Sequence, residues 1–115
     1  MQGYSKRVKK LLHEAVTAAY ERELRAELTK LDRSFAEWRD GRISSGELSH
    51  RIHQFEVGAA RELFKRYNNV APEMNVAYAI AVGLLEHESL PAELLEALAA
   101  PLSFYQSLAD QNALR

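Results

Sequence analysis

One stretch of the chain, Ser5 to Arg39, contains neither proline nor glycine. Its apolar residues recur at spacings of three and four, which keeps them on one face of a helix. They are Val8, Leu12, Val16, Tyr20, Leu24, Leu28, Leu31, Phe35 and Trp38. A helix of this length extends about 50 Å, more than a compact domain of this size needs. We therefore expect its N-terminal end to bend or to contact a partner.

From Leu24 onward the apolar positions follow a heptad pattern, which is typical of helices that pack against another helix. Four of these positions form the candidate interaction surface: Leu24, Leu28, Leu31 and Phe35. The opposite face carries mixed charge, as expected for a side that contacts water.

The long helix should end at Asp40-Gly41, because glycine can adopt the left-handed conformation that closes a helix. Ser44 and Glu47 then have the spacing of a capping box, in which each side chain bonds the backbone amide of the other. Asp40, Gly41, Ser44 and Glu47 are therefore predicted to form the turn and cap of a helical hairpin, with Trp38 packed at its base.

Further helices follow the hairpin corner. The second helix should span 45–67, and its interior Gly58 would fit a close helix crossing. Pro72 favours the start of a third helix, whose apolar run 76–85 predicts burial on every side. A fourth helix should begin near residue 89, and Pro101 should kink or restart it. The sequence predicts an all-α protein, an antiparallel bundle of four to five helices around a long hairpin.

The composition is that of a globular domain, with 47% apolar and 27% charged residues. We expect a single domain over residues 1–115, with residues 1–4 frayed. The chain has no cysteine, which excludes disulfides and thiolate chemistry. Neither a signal peptide nor an apolar segment long enough for a membrane span is visible, so we predict a cytoplasmic protein without a membrane partner.

Charge is distributed unevenly along the chain. Residues 1–68 carry a net charge of +4 and residues 69–115 a net charge of −5. This asymmetry indicates either two solvated surfaces that steady each other or an electrostatic element in self-association. The basic cluster Lys6, Arg7, Lys9 and Lys10 supplies candidate nucleic-acid contacts. Because the pI of about 6.4 is low for a dedicated binder, nucleic acid is not the expected partner.

The corner sequence from Asp40 to Glu47 resembles the second half of an EF-hand calcium loop. Asp40, Gly41, Ile43 and Glu47 fall at loop positions five, six, eight and twelve. Positions one and three would be Ala36 and Trp38, which cannot supply oxygen ligands from their side chains. The capping box explains the acidic and serine residues without a metal.

Two other patterns are typical of chemistry. Glu47, His50 and His53 place a Glu-x-x-His pair and a second histidine on one helix, as in carboxylate-bridged di-iron bundles. No second copy of this motif occurs in the chain, although a homodimer would supply one. The Arg7-x5-His13 spacing resembles the signature of HEPN ribonucleases, small helical domains that cleave RNA.

No arrangement for nucleophilic or acid–base catalysis is apparent, and we expect no cofactor. The sequence therefore favours a non-catalytic protein–protein interaction or regulatory module that binds another protein or a second copy of itself. The alternatives are a small metal-dependent or RNA-cleaving helical enzyme, and a nucleic-acid-associated regulator that uses the basic N-terminus.

Overall fold

The structure is a computed structural model that describes residues 3–112. These residues form helices and turns without a strand, so the predicted all-α class is confirmed. The helices are α1 (Lys6–Arg39), α2 (Ser45–Phe55), α3 (Arg61–Asn69), α4 (Pro72–Ala81), α5 (Ala92–Ala97) and α6 (Ala99–Asp110). A π-helical segment, Glu56–Ala60, joins α2 to α3 without a break. With α2 and α3 counted as one arm, residues 3–112 form five α-helical elements, within the predicted range.

Helix α1 begins and ends as the local chemistry dictates. The Ser5 hydroxyl accepts a hydrogen bond from the Val8 amide at 3.1 Å and so satisfies one of the free donors of the first turn. At the other end, Asp40 is still helical and donates its amide to the Ala36 carbonyl. Gly41 then adopts a φ of +75°, which turns the chain out of the helix.

The hydrophobic core lies around the N-terminal half of α1. Leu12 and Ala19 are fully buried there, and they pack with Val76 of α4, Leu94 of α5 and Leu98. The prediction that the N-terminal end of α1 would bend or contact a partner is wrong, because α4 and α5 of the same chain pack against it. Residues 1–2 of the segment predicted to fray lie outside the described residues. Tyr4 is half-buried and packs against the core.

The distal hairpin, residues 21–66, projects from this core. The main hydrophobic cluster extends to Ala19 on α1, with Tyr67 of α3 packed against it, and none of its hydrophobic members lies between these two residues. The radius of gyration is 17.4 Å, against roughly 13 Å for a compact domain of this length, and the longest axis is 53 Å. The distal hairpin is therefore two helices thick, and its broad faces are open.

Gly58 lies in the π-helical segment, away from any close helix crossing. A Cβ built at this position would meet no atom within 4 Å, so the predicted crossing is wrong. One extra residue in the turn shifts the phase of α3 relative to α2. The hydrophobic period read from the sequence cannot register such an insertion.

The later helices are shorter than predicted. Helix α4 ends at Ala81, Val82 is exposed, and Gly83 has a φ of +80°. The predicted burial holds for Val76 and its neighbours in α4 and again for Leu85, which belongs to the core, but it fails at Val82 and Gly83, which are exposed. Pro101 lies in the first turn of α6, where its missing N–H costs no hydrogen bond, so it restarts the helix and does not kink it.

A polar junction connects the distal hairpin to the core. The Arg66 guanidinium forms an ion pair with Glu23 of α1. The same guanidinium lies 5.0 Å from the ring centroid of Tyr67 and 5.3 Å from that of Tyr78, a cation–π arrangement. The buried amide of Asn75 donates to the Arg66 and Val70 carbonyls, which tethers the end of α3 to α4.

Candidate interaction surface

The predicted turn and cap residues lie at the tip of the distal hairpin. The Ser44 hydroxyl accepts from the Glu47 amide at 3.0 Å, as expected for a helix cap. The return bond of the predicted capping box is replaced by another contact, because the Glu47 carboxylate accepts from Arg51 Nε at 2.9 Å. Arg51 also contacts Ser34 and Glu37 of α1, so it links both arms near the tip. The hydrogen bond with Glu47 raises the pKa of Arg51; loss of solvent opposes this rise, and the hydrogen bond with Glu37 adds to it.

Trp38 lies at this corner but is 41% exposed, less enclosed than the prediction of a packing residue implies. Its indole N–H donates to the Ser45 hydroxyl at 3.0 Å, which fixes the ring across the turn. Asp40 forms an exposed ion pair with Arg42 at 3.3 Å. The carboxylates of the corner are thus paired with arginines, an arrangement that accounts for them without calcium.

The histidine motif faces water. His50 and His53 are both exposed on α2, and Glu47 is held by Arg51. Within residues 3–112, no three His, Asp or Glu side chains come together in a group that could hold a metal ion. The structure therefore brings these three residues to one helix surface but adds no further ligand to them.

The basic N-terminal residues Lys6, Arg7, Lys9 and Lys10 are exposed on the first turns of α1. Arg7 Nε donates to the Glu93 carboxylate of α5 at 2.6 Å. This exposed pair joins a basic residue of the first part of the chain to an acidic residue of the second part. His13 is exposed, and Arg7 is engaged by Glu93.

The heptad positions of α1 lie in the distal hairpin, beyond the core. Leu24, Leu31 and Phe35 are half-buried, and Leu28 is 45% exposed. The buried apolar residues of the distal hairpin are Leu48 of α2 and Leu63 of α3. Both belong to the returning arm, which consists of α2, the π-helical segment and α3. The returning arm therefore covers the predicted seam of α1 only in part, and Leu28 is the seam residue with the largest exposed fraction.

A shallow depression of about 300 Å³ surrounds Leu28. All its lining residues belong to α1: Glu21, Leu24, Arg25, Leu28, Thr29 and Asp32. We call this set the α1 depression. Its apolar members are Leu24 and Leu28, and the residues beside them, which we call the rim, carry charges of both signs. It can receive a side chain from another helix, and it presents no arrangement of groups for bond making or breaking.

The predicted interaction surface left out the other lining residues, Glu21, Arg25, Thr29 and Asp32. Glu21 lies three residues before Leu24, and Arg25 and Asp32 lie three before and four after Leu28, the spacings at which helix side chains are neighbours. Grouping each seam residue with its i±3 and i±4 neighbours would have found these three, whereas Thr29 has neither spacing to any seam residue. By contrast, the Glu23–Arg66 pair joins residues far apart in sequence, and no local pattern signals it.

Comparison with protein-family models, with curated protein sequences and with solved structures finds no match to this chain. Among the helices of residues 3–112, none combines the length and the apolar character needed to cross a membrane.

Proposed function

We propose that this chain is a non-catalytic interaction module, which uses the distal hairpin to bind an amphipathic helix of a protein partner. The observation that carries the proposal is the α1 depression, where an apolar side chain in the middle of a heptad seam is left 45% exposed. Two leucines flanked by charged side chains suit a helix that has apolar residues on one face and charges beside them.

The position of the depression supports this role. It lies on the distal hairpin, outside the main hydrophobic cluster, and it is lined by α1 alone. The two arms of the hairpin are linked at the base by the pair Arg66–Glu23 and near the tip by the pair Arg51–Glu37. A preformed surface loses less conformational entropy when a partner binds.

The two other classes of function have less in their support. The histidine motif is exposed and belongs to no group of three potential metal ligands among the described residues, and His13 is exposed while Arg7 is bonded to Glu93. At the basic N-terminus one of the four positive charges is already paired with Glu93. The cytoplasmic location stays a prediction that belongs to this proposal.

Site-specific photo-crosslinking tests the proposal. A benzophenone amino acid replaces Leu28 in one variant and Arg33, an exposed residue elsewhere on α1, in a matched control. We expect the Leu28 variant alone to give a discrete adduct in cells, mapped by mass spectrometry to the apolar face of a helix. Adding Leu24→Asp to the same chain should remove the adduct. Equal labelling from both positions, or no adduct from position 28, would refute the proposal.

A further inference from the structure

The α1 depression has the geometry of a coiled-coil contact. Its six lining residues form two overlapping sets of four with the spacing i, i+3, i+4 and i+7: 21, 24, 25, 28 and 25, 28, 29, 32. Four residues at this spacing make the hole that receives one side chain, the knob, of a facing helix. Leu28, the exposed apolar residue at the centre, is itself suited to be such a knob. This part of α1 thus carries both halves of a knobs-into-holes contact.

The charges on the rim are self-complementary. Arg25 and Asp32 are seven residues apart, so they lie two turns from each other along the same edge of the depression. In an antiparallel pair of α1 helices related by a twofold axis between residues 28 and 29, Arg25 of each copy faces Asp32 of the other. Leu28 of each copy then enters the hole formed by 25, 28, 29 and 32 of the second copy.

A parallel pairing would place Arg25 opposite Arg25 and Asp32 opposite Asp32. Like charges opposed in this way destabilise an interface. In the free chain Arg25 bonds Glu21 at 2.9 Å, but the side chains are 79% and 60% exposed. Such a surface pair contributes little, so Arg25 is free to exchange it for a contact with a second copy.

From these observations we propose that the α1 depression binds a second copy of the same chain, giving an antiparallel homodimer with its twofold axis between Leu28 and Thr29 of each α1. This inference rests on the proposed function and names the partner. It follows the rule that a twofold interface uses one self-complementary patch on both subunits.

Sedimentation equilibrium of the purified full chain tests the association. Because the exposed apolar surface of α1 is small, the measurement should span about 1 µM to 1 mM. We expect a monomer–dimer equilibrium in this range for the wild type. Arg25→Asp and Asp32→Arg should each weaken the dimer about tenfold, and the double variant should return to within about twofold of the wild type.

The matched control is Lys30→Glu, a charge reversal on the other broad face of the same hairpin, which should leave the association unchanged. Circular dichroism confirms that each variant is folded. A strictly monomeric wild type overturns the homodimer, as does a dimer in which the double variant fails to recover. A crosslink from position 28 to a different protein, together with a monomeric wild type, would leave the proposed function standing and overturn only this inference.

Disulfide trapping tests the orientation independently, since the chain has no cysteine of its own. In the antiparallel dimer, Leu28→Cys lies beside the axis and should crosslink to itself under mild oxidation. Asp32→Cys should not crosslink to itself, because its two copies are separated by about 10 Å in the direction of the helix axes. A mixture of Arg25→Cys and Asp32→Cys chains should form a mixed dimer. Efficient self-crosslinking at Asp32→Cys would show a parallel pairing and overturn the proposal.

Discussion

Arg66 should be the polar residue whose loss destabilises the fold most. In Arg66→Met the chain keeps an apolar stem but leaves the Glu23 carboxylate without its partner. Removing one member of a fully buried pair costs about 3–5 kcal/mol. Here the side chains are 34% and 17% exposed, so water recovers part of that loss and about 2 kcal/mol remains. The two cation–π contacts add about 0.5 kcal/mol each, for a total of about 3 kcal/mol.

Urea unfolding followed by circular dichroism measures this loss, and the melting temperature should fall by roughly 10 °C. Arg25→Met is the matched control, since its ion pair with Glu21 is exposed and should contribute less than about 1 kcal/mol. Adding Glu23→Gln to Arg66→Met should restore about half of the loss, because a neutral amide is less costly to leave unpaired than a carboxylate. If Arg66→Met costs no more than Arg25→Met, the junction does not anchor the hairpin as argued.

Three further predictions concern packing, backbone and titration. Leu12→Ala should lower the free energy of unfolding by about 2–5 kcal/mol, because this side chain is fully buried. Leu28→Ala should lower it by less than about 0.5 kcal/mol in the monomer. Equal losses in urea unfolding would contradict the difference in exposure between the two side chains. Gly58→Ala should be neutral or stabilise the fold by up to about 1 kcal/mol, because a Cβ there meets no other atom. Gly41→Ala should cost about 1 kcal/mol, because φ there is +75°. A lower melting temperature for Gly58→Ala than for Gly41→Ala would refute this. Burial raises the pKa of Tyr67, so the folded state holds that proton more tightly than the unfolded state, and this stability is present below about pH 10 and declines above it. Phenolate absorbance and urea titrations should show a smaller alkaline loss in Tyr67→Phe, and an unchanged loss would exclude Tyr67 as its source.

The elements governed by local chemistry could be predicted from the sequence. Helix α1 follows from an uninterrupted apolar period, and its end follows from Gly41, whose positive φ is the conformation that glycine tolerates best. The Ser44 cap was likewise predicted, because a hydroxyl three residues before an amide is sufficient to make the bond.

Features that depend on tertiary contacts could not be predicted in this way. Both ends of α1 have apolar residues at the same spacing, so the period alone does not reveal which end the later helices cover. The π-helical segment at Gly58 changes the phase of the returning arm, which no periodicity argument anticipates. For the candidate surface, the seam residues were predicted, but the exposure of Leu28 and the part played by the rim depend on where the returning arm lies.

The separation of the core from the distal hairpin has a consequence for hydrogen exchange. Amides of the distal hairpin are protected by helical hydrogen bonds and few buried side chains, so they can open locally while the core stays folded. Exchange rates should therefore rise along α1 from Ala19 towards Arg39, within a single helix. The segment that we propose to bind a partner is then the part of the molecule whose backbone is least costly to open, and binding should slow its exchange more than that of the core.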